Sequence, residues 1–133
     1  MAFDLDVGLL IVRLVLGLIV AAHGAQKLFG WFGGYGIKGV GGWLESMGLR
    51  PGALWAALAG GAEFFGGLLF ALGLWTPLAS VLIAAVMFVA LFTVHLKNGL
   101  FIDKNGFEYV LVIAVVALVI GFLTGPGAYA LTP

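Results

Sequence analysis

The chain has 133 residues, with six basic against six acidic side chains, two histidines, 63% hydrophobic residues and no cysteine. Charge on 9% of residues, against about a quarter in a soluble domain, and a mean hydropathy of +1.21 exclude a water-soluble monomer. The missing cysteines exclude disulfides, Fe–S clusters and Cys-ligated zinc, and the zero net charge gives nucleic acid no footing. What remains is a small integral membrane protein of a single domain, residues 1–133.

Four apolar segments follow in chain order, at about residues 7–26, 53–75, 77–95 and 107–123. Each approaches the roughly 20 residues a helix needs to cross the hydrocarbon layer, and a backbone in lipid must satisfy its own hydrogen bonds. The expected fold is all-α, an up-down membrane four-helix bundle. The first segment opens on Asp4 and Asp6 and carries Arg13 within its apolar run, the reverse of a signal peptide, so it is read as a retained span. Trp55 and Trp75 bracket the second segment, as interfacial tryptophans do. The turn at Gly73–Pro77 is short enough to make the second and third spans an antiparallel hairpin. The 22 glycines suit helices that approach closely in lipid.

The first connection alternates aromatics with glycine from Phe29 to Gly36. It then places Val40, Trp43, Leu44 and Met47 at helical spacing, with Gly48 as the stop. The expectation is a short interfacial or re-entrant helix, either a surface anchor or a lid over a cavity. Lys27, Lys38 and Arg50 lie in this connection, and Lys97 and Lys104 in the one between the third and fourth spans. The positive-inside rule puts both long connections in the cytoplasm and both termini outside.

Charges inside spans are expensive and usually face the bundle interior. Glu63 shares a face with Ala56, Gly60 and Gly67, and Arg13 shares one with Gly17 and Gly24. Central placement of both spans gives an axial offset of only about 5 Å between the two charges, so a buried Arg13–Glu63 pair is expected, either as a clamp on helix register or as the polar anchor of a ligand cavity. A second cluster gathers at the cytoplasmic ends of the spans: His23, Gln26 and Lys27 on the first, His95 on the third and Glu108 on the fourth. It reads as a hydrogen-bonded polar belt at a cavity mouth. A bis-histidine haem on His23 and His95, or a metal held by these and Glu108, are minor alternatives, because two histidines fix no geometry. Catalytic residues are not readable: Ser46, Ser80 and the threonines have no His–Asp partner pattern, and the glycine runs do not match a phosphate loop.

The stretches His23–Gly30 with Phe32–Gly36, Ala59–Glu63 with Gly66–Leu69 and Leu72–Ala79, then Val94–Leu96 with Asn98–Phe101 and Gly106–Tyr109, and the closing Gly125–Gly127, resemble the motifs of the DoxX family in order along nearly the whole chain. The resemblance implies a four-helix inner-membrane protein within a redox system, with relatives associated with thiosulfate-to-quinone electron transfer and with oxidative-stress complexes. It also implies a wider superfamily of cargo receptors and chaperones. The residues that match are His23, Lys27, Glu63, His95 and Glu108. Two functions are carried forward. One is a bundle binding a quinone or other apolar ligand, with Arg13 and Glu63 as anchors and a histidine relaying protons. The other is a non-catalytic anchor, scaffold or chaperone for soluble redox partners. The bilayer is the certain partner; redox proteins and a second copy are candidates.

Overall fold

The computed structural model describes residues 4–131, and they form an all-α structure. Helix α1 spans Leu5–Phe29. Asp4 accepts a hydrogen bond from the Val7 amide at 3.1 Å and caps the start, and Gly30 in the left-handed region ends the helix. The helix runs three residues past the expected end at Gln26, so Lys27 lies in its last turn rather than in a loop. Helix α2, Gly36–Ser46, is the short helix expected in the first connection. It packs over the start of α3, Gly52–Leu72. Glu45 of α2 accepts from the Gly52 amide at 2.9 Å, a carboxylate set on the positive end of α3.

Helix α3 stops in a Schellman motif: Gly73 adopts φ +69°, its amide donates to Phe70 O and that of Leu74 to Leu69 O. Three residues later Thr76 begins α4, Thr76–Ala90, with Pro77 in its first turn. The expected α3–α4 hairpin is therefore present. A π-turn, Leu91–His95, and a 3-10 turn, Leu96–Asn98, prolong α4. Helix α5, Glu108–Val119, is prolonged by a π-turn over Ile120–Thr124. Three helical stretches, Leu5–Phe29, Gly52–Leu72 and Thr76–Asn98, are long and apolar enough to cross a membrane, and Glu108–Thr124 is a shorter apolar helix.

The helices pack in the order α1, α3, α4, α5 around Val20, Phe70, Ile83, Met87, Ala114 and Ala117. The outward faces carry Ile11, Val15, Val89 and Val115, side chains that lipid solvates at no cost. Two ends result. The basic end holds the first connection, α2 and the loop before α5. The terminal end holds residue 4, the α3–α4 turn and the C-terminal segment.

The α1–α3 contact is the most extensive among the described residues and is built from glycine. A Cβ on Gly17 would stand 2.6 Å from Gly67 O, and one on Gly24 would stand 2.7 Å from Gly60 O. Both pairs are seven residues apart on their own helices, so the two backbones touch along two turns. This register overturns the expected Arg13–Glu63 pair. Opposite Arg13 lies Ala71, and Glu63 is eight residues earlier on α3, about 12 Å away at 1.5 Å per residue. Central placement of the spans had hidden this stagger.

Arg13, 1% exposed, instead holds the terminal end together. Its Nη1 donates to Pro126 O at 2.6 Å, and its Nη2 donates to Tyr129 O at 3.0 Å and Ala71 O at 3.2 Å. A cation on the final carbonyls of α3 is favoured by the helix dipole. The Leu131 amide donates to Leu72 O at 3.2 Å and the Ala128 amide to Asp6 Oδ1 at 2.9 Å. The C-terminal segment is thereby laced across the ends of α1 and α3.

Candidate functional site

Glu63 is the only acidic residue of α3 and is 2% exposed. The glycine register that carries Arg13 away brings Lys27 to it: the Lys27 ammonium forms an ion pair with Glu63 Oε1. Lys27 reaches inward from the last turn of α1, with its side chain 30% exposed. An ion pair with one end wet and one end dry costs less desolvation than a fully buried pair. It is also open to exchange with solvent at the lysine.

The pair borders a cavity of about 240 Å³. His23 of α1, His95 of the α4 π-turn and Tyr109 of α5 complete its polar wall, and Val86, Met87, Ala90 and Val110 form its apolar one. The rings of His23 and Tyr109 lie 5.7 Å apart at 59°. The Tyr109 hydroxyl is buried with no hydrogen-bond partner among the described residues. A buried hydroxyl without a partner is uncommon, because desolvating it unpaired costs about 1–3 kcal/mol. It is a donor the fold itself leaves unused.

His95 is positioned by the wide turn on which it sits. Thr93 Oγ1 donates to Val89 O at 2.6 Å, a back-bond that competes with the α-helical ladder, and π-turns recur at functional sites. The Nδ1 of His95 lies 2.9 Å from Asn105 O. A carbonyl only accepts, so Nδ1 carries the proton and Nε2 of the neutral ring is an acceptor. Asn105 sits at φ +58°, a conformation asparagine tolerates, and the same carbonyl receives Asn98 Nδ2 at 3.0 Å. The loop thus orients the histidine.

The sequence-derived belt divides in two. His23, Lys27 and His95 come together, and Glu63, expected to pair with Arg13, joins them. Gln26 and Glu108 do not: Gln26 Nε2 donates to Phe32 O at 3.2 Å, and Glu108 Oε1 accepts from the Ile102 amide at 2.9 Å, so each pins a loop. With Glu108 turned away, the metal alternative of His23, His95 and Glu108 is not assembled. No group of three or more His, Cys, Asp or Glu able to hold a metal occurs among the described residues. Arg13 leaves the site for the terminal end. Tyr109 is the residue the sequence reading passed over. It ends the Gly106–Tyr109 motif, but an apolar run follows it and, unlike Glu108 beside it, it carries no charge that would mark it in the sequence.

A second, larger space of about 570 Å³ lies beneath α2. Its walls are Gln26 and Lys27 of α1, Gly33 to Tyr35 of the connection and Gly39, Val40 and Trp43 of α2. Lys27 lines both spaces.

Comparison with known proteins gives a consistent picture. The family model described as DoxX matches residues 8–96. A relative from Bacillus subtilis (strain 168), named "Putative oxidoreductase CatD", is 31% identical over 128 residues, covering 96% of this chain and 87% of its own. No solved structure matches.

Proposed function

The chain belongs to the DoxX family, a multi-pass membrane protein, and from that premise we propose that it binds a quinone head group in the Lys27–Glu63 cavity as part of a membrane-associated redox system. We place it in the inner membrane as one four-span domain, with Glu108–Thr124 as the fourth span, the basic end cytoplasmic and both termini outside. The reading rests on one observation: a small cavity whose wall brings together an ion pair, two histidines and Tyr109, whose buried hydroxyl has no partner among the described residues.

The donor set fits such a ring. Tyr109 and Lys27 donate, and carbonyl oxygens accept. Glu63 and His95 Nε2 accept, as a hydroxyl-bearing reduced ring requires. Lys27 and Glu63 cancel in charge, which suits a neutral guest better than an anion. The volume of about 240 Å³ lies below the roughly 300–1,000 Å³ of pockets that enclose drug-sized ligands, so it suits a single head group. A quinone bound there supplies two-electron, two-proton chemistry. The chain's part is to hold the ring, exclude water through Val86, Met87 and Val110, and move protons between Glu63 and the basic end through Lys27. The electron donor is a partner protein.

The second reading, a non-catalytic scaffold or chaperone for redox partners, draws on the bare aromatics of the first connection. Phe32 is 71% and Tyr35 83% exposed, in a loop that a soluble protein could grip as well as a bilayer.

Thermal melting of protein in nanodiscs, with and without a chainless benzoquinone, separates the two. Tyr109→Phe should leave the ligand-free melting temperature unchanged or slightly raised, because its hydroxyl has no partner to lose. It should weaken quinone binding about tenfold, the equivalent of about 1.4 kcal/mol for one hydrogen bond. Glu63→Gln should reduce the response further. A wild-type protein indifferent to quinone, or a Tyr109→Phe variant binding as tightly as wild type, removes the quinone reading and leaves the scaffold.

A further inference from the structure

The space beneath α2 differs from the cavity at Glu63 in what it can offer a guest. Of its polar side chains, Gln26 has its amide nitrogen on Phe32 O, and Lys27 has its ammonium on Glu63. Tyr35 is 83% exposed, so its hydroxyl is solvated at the rim. What faces the groove is Val40, the Trp43 ring, the glycine backbone and the methylene stem of Lys27. Such a surface is predominantly apolar, with few polar side-chain groups left free, and favours an aliphatic guest.

The two spaces share Lys27, the inner one polar and small, the outer one apolar and more than twice as large. Together they reach the size of pockets that hold a whole ligand. We infer that the groove beneath α2 is the binding subsite for the aliphatic chain of the ligand whose ring lies at Glu63, the chain passing along the Lys27 stem and leaving between Tyr35 and Trp43. This rests on the head-group reading above and adds the ligand's class: a ring bearing a long hydrocarbon chain. Tyr35, Trp43, Trp31 and Phe32 are all exposed around the exit. Such a cluster of aromatic rings settles at the membrane surface, where a chain can turn into lipid.

The test uses the full chain in nanodiscs and one benzoquinone ring bearing no chain, a single isoprene unit or a decyl chain. Affinities are divided by each compound's partition into empty nanodiscs. Wild type should bind the decyl compound at least tenfold more tightly than the bare ring after that correction. Val40→Trp, which fills the groove, should abolish the gain while changing bare-ring affinity less than twofold. Trp43→Ala, at a half-exposed site where truncation spares the core, should cut the gain several-fold with the same bare-ring affinity. Ring binding without a chain-length gain, or a gain that survives both substitutions, overturns this inference alone. Failure of wild type to bind any of the three compounds overturns the head-group reading and this inference with it.

Discussion

Arg13 shows how a single buried charge is made tolerable. The guanidinium offers five donors in a rigid plane and no acceptor, and the fold meets it with three carbonyls from two segments, one ending α3 and two in the C-terminal segment. Removing the side chain would leave those carbonyls without their charged donor. Arg13→Leu is therefore expected to destabilise the protein by about 3 kcal/mol and to raise hydrogen exchange in residues 125–131, with exchange around Glu63 and Lys27 unchanged. A uniform rise across the chain would contradict a local clamp. Glu63 meets the same difficulty with a different partner, a lysine whose stem spans the boundary between the buried and wet parts of α1. Neither assignment was readable from charge counting, because each cation lay within plausible reach of the one buried carboxylate.

At the scale of elements, the α1–α3 glycine contact decides which partners Arg13, Lys27 and Glu63 find. The small face of α3 (Ala56, Gly60, Gly67) and that of α1 (Gly17, Gly24) were legible in the sequence, and both are buried as expected. Their mutual register was not. Sequence spacing gives which residues share a face; it does not give which turn of one helix meets which turn of the next. Gly17→Ala should cost about 1–3 kcal/mol, since its Cβ would stand 2.7 Å from the backbone nitrogen of Ala71 and 2.6 Å from Gly67 O, and rigid backbone cannot yield. Gly61→Ala, on the facing helix α3 with nothing within 4 Å of the added carbon, should be neutral or stabilising. Equal effects in chemical or thermal unfolding of the two variants would show that glycine content, rather than contact, governs stability. Helix α2 was legible too, down to its stop before Gly48, because amphipathic spacing and a glycine are local signals.

For the whole molecule, the distribution of charge makes a prediction about orientation. Five of the six basic residues belong to the basic end, and none of the terminal end's loop residues is basic. The chain has no cysteine, so a single introduced one reports its own side without background. In intact cells, Lys38→Cys should resist a membrane-impermeant maleimide and react only after permeabilisation, and Leu131→Cys should react at once. Labelling of Lys38→Cys from outside, or protection of Leu131→Cys, would overturn the proposed topology.

The sequence by itself determined the solvent, the helical class, the close-packed faces and the short list of polar residues. Each of these follows from composition or from spacing along one helix. Tertiary structure alone decided the pairings. A stagger of a few residues between two glycine-lined helices gave Glu63 to Lys27 and Arg13 to the C-terminal segment. Contacts within the loops turned Glu108 and Gln26 aside, and the packing of α5 on α4 set Tyr109 against the site. Pairing across helices depends on axial register, which backbone contact at four glycines sets and no periodicity within a single segment encodes.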